Sequence, residues 1–228
     1  MASQVTKELL EMADSDYKEF ITPLIPTVRP ESIIGIRVPM LRQYAKEIIG
    51  TRKAQGFLMS WHIYYEEEML HALLINEMDD YERVIYNVEN LMCTTNNWAV
   101  CDACIPPVFK RRLRTLKRDY LMDYIYSDKP YLVRFGINMF RKYYLDDKYF
   151  DFNDVMDYIP NVSYPDYYVM MAKAWYLSEA LIKQYDVAKC LIEMEVIDKD
   201  TQNNTIQKYC DSKRAVEERK TYLKQFKM

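Results

Sequence analysis

Asn96-Asn97-Trp98-Ala99-Val100-Cys101-Asp102-Ala103-Cys104-Ile105-Pro106-Pro107 reads as a helix with a hard start and a hard stop. Asparagine side chains cap helix N-termini, and the residue before a proline is pushed out of the α region, so Ile105 ends the helix after about two turns. Trp98 and Asp102 are four residues apart and share one face. Further on, the intervals from Trp98 to Arg134 and from Arg134 to Trp175 are 36 and 41 residues. Helix pairs recur at about that spacing, which predicts a helical repeat whose equivalent helices line one concave surface.

Outward from this stretch, the chain reads as helix after helix. Residues 3–14 and 16–25 form two amphipathic helices, the second opened by Asp16 with Glu19 in a capping box. Pro23, Pro26 and Pro30 then break the chain, and Pro39 stands at the first position of a helix running to about residue 49. Residues 66–78 and 81–92 carry apolar side chains at helical spacing, and their short connection predicts an antiparallel pair. After the Trp98 helix come helical stretches to about 116, then 119–126, 131–144 and 150–158. Ser163-Tyr164-Pro165-Asp166 opens the longest helix, to about 184, followed by 186–195, 202–211 and 215–226. No strand and no linker interrupts the series. The prediction is an all-α fold, an α-α superhelix of HEAT-like repeats, as a single domain over 1–228.

Composition removes several function classes. With only four glycines in 228 residues, neither a G-x-x-x-x-G-K loop nor a G-x-G-x-x-G turn can be written. Cys101-x-x-Cys104 has no second pair and the chain only two histidines, so no metal and no other cofactor is expected. Five cysteines without a secretory signal point to reduced thiols in a cytoplasm, and no apolar run approaches a membrane span. The 21 tyrosines and 14 methionines suit seams between helices. Net charge is −3, but its distribution is uneven. Between residues 61 and 92 eight acids face one base, which reads as a solvated helix face. Lys110, Arg111, Arg112, Arg114, Lys117 and Arg118 form a basic run without acids, and the last 30 residues carry eight bases against four acids. Two separated basic segments can flank a phosphate backbone.

Five motifs fall in a recognisable order: Arg-Val-Pro-x-Leu-Arg at 37–42, Asn-Trp-x-x-x-Asp at 97–102, Val-Arg-Phe-Gly-Ile at 133–137, Ala-Trp at 174–175, and Thr-Ile-Gln-Lys at 205–208 with Ser-Lys-Arg at 212–214. In order and spacing the chain resembles the bacterial DNA alkylation repair family of HEAT-like alkylpurine DNA glycosylases. The resemblance implies a DNA glycosylase acting on cationic N3- or N7-alkylated purines in double-stranded DNA, working as a monomer. It places the family's catalytic set on Trp98, Asp102, Arg134 and Trp175. An alkylated purine already carries positive charge and leaves without a strong general acid, which suits a set lacking histidine. Asp102 is then expected to stabilise an oxocarbenium-like sugar and position water, the indoles to add cation–π stabilisation, and Arg134 to hold a phosphate. Lys110, Arg111, Arg112, Arg114, Lys173, Lys208, Lys213 and Arg214 are the expected backbone contacts.

Each of these residues also has an ordinary structural reading. A helical Trp commonly packs in a core, an Asp caps or pairs with a base, and an Arg pairs with an acid. The acidic balance of the chain is unusual for a duplex-binding groove. The alternative is therefore a non-catalytic helical-repeat module that binds DNA or a protein on its concave face.

Overall fold

The computed structural model describes residues 3–228, in two compact units, Met1–Arg112 and Leu113–Met228. Among the described residues there are α-helices and tighter or wider helical turns but no strand. The all-α, helical-repeat fold expected from the sequence is what the chain adopts.

In the first unit, α1 (Gln4–Glu11) is capped by Ser3, whose hydroxyl accepts from Thr6 N at 3.0 Å. The cap of α2 (Ser15–Ile21) is Asp14 rather than Asp16, because Asp14 is the residue in extended conformation, with its carboxylate 3.0 Å from Tyr17 N. Pro39 sits in the first turn of α3 (Val38–Ile48), as expected. A helix with no strong sequence signal follows, α4 (Arg52–Leu58), capped by Thr51. Then come α5 (Tyr65–Asn76), α6 (Tyr81–Thr94) and α7 (Trp98–Ala103).

The acidic start of α5 is not a solvated face. Glu66 is 0 % exposed, and its carboxylate accepts from the backbone N–H groups of Ile34, Gly35 and Ile36 at 2.8, 2.7 and 3.3 Å. These amides lie in the non-helical approach to α3, and the carboxylate supplies their acceptor. Gly35 lies in the left-handed region with φ +96, and a Cβ there would meet Asp14 O at 2.4 Å. Glu67 is equally engaged, accepting from Ile63 N at 2.7 Å, Tyr64 N at 3.0 Å and the Thr6 hydroxyl at 2.5 Å.

Behind these glutamates, His62 Nε2 and His71 Nδ1 lie 2.7 Å apart, with Phe57 stacked on His62 at 4.6 Å. One nitrogen must accept, so the pair cannot carry two charges in this arrangement. Burial, and then the neighbouring His62, push His71 down to about 3, and burial also lowers His62. The folded state therefore binds fewer protons than the unfolded chain below about pH 6.5, and stability falls as pH drops through that value toward about 3. Between pH 7.5 and 5.5, denaturant titrations should show the chain losing about 1.4 kcal/mol more than a His71→Asn variant loses, a comparison that cancels the opposing gain from Asp154, whose carboxyl burial raises to about 6. Equal losses in the two proteins overturn this account.

The second unit opens with α8 (Leu113–Leu116), a π-helical turn over Lys117–Leu121, and α9 (Met122–Ile125). It continues through α10 (Pro130–Tyr143) and a π-helical turn at Asp154–Tyr158. The remaining helices are α11 (Tyr167–Lys183), α12 (Tyr185–Met194), α13 (Lys199–Asp211) and α14 (Glu217–Leu223). Gly136 allows α10 to lie close on α9, since a Cβ there would stand 2.9 Å from Ile125 Cγ2 and 3.2 Å from Tyr124 Cβ.

The packing within each unit has the logic of a repeat. Arg134 Nη1 on α10 donates to the Tyr168 carbonyl on α11 at 2.6 Å. Seven residues later on α10, Arg141 lies 4.1 Å from the ring centre of Trp175, itself seven residues after Tyr168. Asn204 on α13 meets Met170 on α11 at 4.0 Å, Lys208 lies over Trp175 at 5.5 Å, and Arg214, just past α13, pairs with Glu179. Partners advance in the same direction on each helix, so α10, α11 and α13 run parallel. Hydrogen-bonded partners are 34 or 35 residues apart. In the first unit, Glu68 and Asn76 of α5 meet Thr95 and Ala103 at the two ends of α7, 27 residues away in each case, so α5 and α7 are parallel too. Parallel neighbours need a returning segment between them, and α6 and α12 supply it.

Candidate functional site

The Trp98 helix is held at both ends by α5. At its start, Asn97 is fully buried and its Oδ1 accepts from Val100 N at 3.0 Å. Thr95, two residues earlier, donates its hydroxyl to Glu68 Oε2 at 2.8 Å. At its end, the Asn76 amide donates to Ala103 O at 2.8 Å and accepts from Ile105 N at 2.7 Å. Glu68 and Asn76 are two turns apart on α5, which matches the two turns of α7. So short a helix would be marginal in isolation, and these bonds fix its axis and rotation.

That rotation leaves Trp98 and Asp102 half-buried while Val100 and Cys101 go into the core. Trp98 Nε1 donates to the Leu24 carbonyl at 3.0 Å, so the indole cannot swing freely. Cys101 and Cys104 are both buried, and burial pushes the Cys104 thiol far up, which keeps it protonated and inert.

Arg134 and Trp175 belong to the second unit, and the two stand at different levels. Arg134 is 4 % exposed, and its Nη1 is held by the Tyr168 carbonyl. A bidentate surface grip on a phosphate, the expected role, is not what this geometry offers, because the guanidinium is under the surface. Trp175 is 38 % exposed and two turns of helix, about 10 Å, beyond the level of Arg134. The cations on its ring are Arg141 and Lys208. Arg141 escaped the sequence reading, although its position seven residues after Arg134 puts both on one face of α10.

A family model described as "DNA alkylation repair enzyme" matches residues 5–209. The chain belongs to the DNA alkylation repair enzyme family. No curated protein matches it. Membership places the chain in DNA alkylation repair, with DNA as its substrate.

For a DNA alkylation repair protein the state of each expected phosphate contact matters. Lys110, Arg114 and Lys213 are exposed with no ion pair among the described residues. Arg111 pairs with Asp79 at 3.0 Å, Arg112 with Glu82 at 3.5 Å, and Arg214 with Glu179 at 2.9 Å. These arginines are more than half exposed, and exposed pairs contribute about 0–1 kcal/mol, so they yield readily to a phosphate. Lys173 requires a correction. It is 7 % exposed, its ammonium donates to Val162 O at 2.9 Å, and Asp198 is 3.8 Å away. Burial lowers its pKa, partly opposed by Asp198. Lys173 ties the 162 loop to α11 and does not reach a backbone.

Proposed function

We propose that the chain is a DNA glycosylase that releases cationic N3- or N7-alkylated purines from duplex DNA by hydrolysing the N-glycosidic bond. The observation that carries this reading is the pair Trp98 and Asp102, half-buried on one face of a helix clamped at both ends, in a member of a DNA alkylation repair family. A water oxygen forms the new bond to C1′ of the sugar, and the purine leaves with the electrons of the broken bond, becoming neutral. Its own charge makes it a good leaving group, so no protonated residue is required. Asp102 faces the positive charge that develops on the sugar and accepts the proton of the attacking water. The Trp98 indole adds a negative π face to the same charge.

The second unit has a separate task in this reading. The exposed Trp175, with Arg141 and Lys208 on its ring, offers a basic, aromatic surface to the DNA backbone, and Lys213 and Arg214 extend it. Arg134 is the positioning residue that joins α10 to α11 and so presents Trp175.

The test is release of free base from duplex DNA carrying N7-methylguanine and N3-methyladenine. Release well above the spontaneous rate supports the proposal. No excess release, under conditions where the DNA is bound, overturns it and leaves a non-catalytic DNA-binding module.

A further inference from the structure

Three consecutive glutamates open α5, and they are not equivalent. Glu66 and Glu67 each take three hydrogen-bond donors. Glu68 takes one good one, the Thr95 hydroxyl at 2.8 Å, with the Asn97 amide at 3.5 Å, both on the same oxygen, Oε2. It has no ion pair with any base among the described residues, although burial and the charge of Glu67 both work against its ionised form. The carboxyl lines a cleft of about 180 Å³ together with Arg29, Ser32, Tyr64, Tyr65 and Asn97.

The charges around this carboxyl leave it uncompensated. Arg29 is at the rim, its side chain 80 % exposed and 3.8 Å from Glu31. His62 also lines the cleft, hydrogen-bonded to His71, and burial disfavours its charged form. Glu67 spends its charge on the amides of residues 63 and 64. Tyr65 is buried, and burial keeps its phenol protonated. A phosphate would meet a carboxylate on entering. No base among the described residues lies within ion-pair distance of Glu68, so a cation would supply its counter-charge, and two tyrosines stand on the wall for cation–π contact. In size the cleft slightly exceeds the engineered cavity of about 150 Å³ that takes a benzene ring. The same Asn97 that lines it caps the helix bearing Trp98 and Asp102.

We propose that this cleft receives a planar organic cation the size of one alkylated purine, with the Glu68 carboxylate as its counter-ion. That the cation is an alkylated purine rests on the proposed function, whereas the preference for a cation rests on the cleft alone. The cation can arrive as a free alkylated nucleoside or as the lesion within DNA. Calorimetric titration of the intact chain with 1-methyladenosine, cationic at neutral pH, and with adenosine decides the matter. The expected result is saturable binding of 1-methyladenosine about tenfold tighter than adenosine, falling to the adenosine level in Glu68→Gln. Equal affinity for the two nucleosides, no binding of either, or undiminished binding in a folded Glu68→Gln overturns the proposal. The wild-type comparison stands even if that variant does not fold. When 1-methyladenosine binds, saturating amounts that slow base release from alkylated duplex assign the cleft to the lesion in DNA, and unchanged release assigns it to free nucleosides. Cation binding without any base release overturns the glycosylase reading alone. Base release without cation binding overturns the cleft assignment alone.

Discussion

Asp102→Asn should lower base release from alkylated duplex DNA by about 10²–10³-fold while leaving DNA affinity within a factor of two or so. The substitution keeps the size and one acceptor oxygen of the side chain but removes the charge, so what it loses is lost where positive charge appears on the sugar. Asn97, Thr95 and Asn76 hold both ends of α7 and are untouched by the substitution. The check is single-turnover release at saturating enzyme beside an equilibrium binding curve. Unaltered release in the variant would remove Asp102 from the mechanism, and loss of binding in parallel with release would mean a structural role instead.

The second large effect is on stability. Glu66→Ala strips the partner from three buried N–H groups at once, those of Ile34, Gly35 and Ile36. Each buried donor left unsatisfied costs about 1–3 kcal/mol, so the loss should reach about 3 kcal/mol or more. A urea titration followed by circular dichroism measures this, and a loss below about 1 kcal/mol would show that the amides find other partners. Glu66→Gln should fall between, since its amide keeps one acceptor and turns one donor toward donors.

The sequence was most legible where local chemistry has a name. The cap at Asn97, the proline in the first turn of α3 and the proline ahead of Tyr131 all mark helices that begin where such residues make them begin. The i, i+4 pair Trp98 and Asp102 shares a helix face as its spacing requires. What stayed hidden depends on neighbours distant in the chain. Glu66 and Glu67 look like surface acids until the amides of residues 34–36 and 63–64 are brought to them. Lys173 looks like a surface base until the 162 loop covers it. The π-helical turns over Lys117–Leu121 and Asp154–Tyr158 have no residue signature, and α4 was obscured by its shortness and by Gly56. Arg134 is the instructive case within the candidate site. Its interval to Trp175 suggested two side chains at one level, but the register of α10 against α11 puts Tyr168 there and Arg141 beside the indole.

That shared register also decides which changes of length the second unit can absorb. One residue inserted within α11 between Tyr168 and Trp175 turns the indole by about 100° and withdraws it from Arg141 and Lys208 together, although every side chain is retained. The same residue inserted between Tyr158 and Tyr167, before the helix begins, leaves both contacts in step. Changes of length are therefore absorbed in the loops and quantised in the helices, where whole turns are the smallest unit that keeps Trp175 aligned with Arg141 and Lys208.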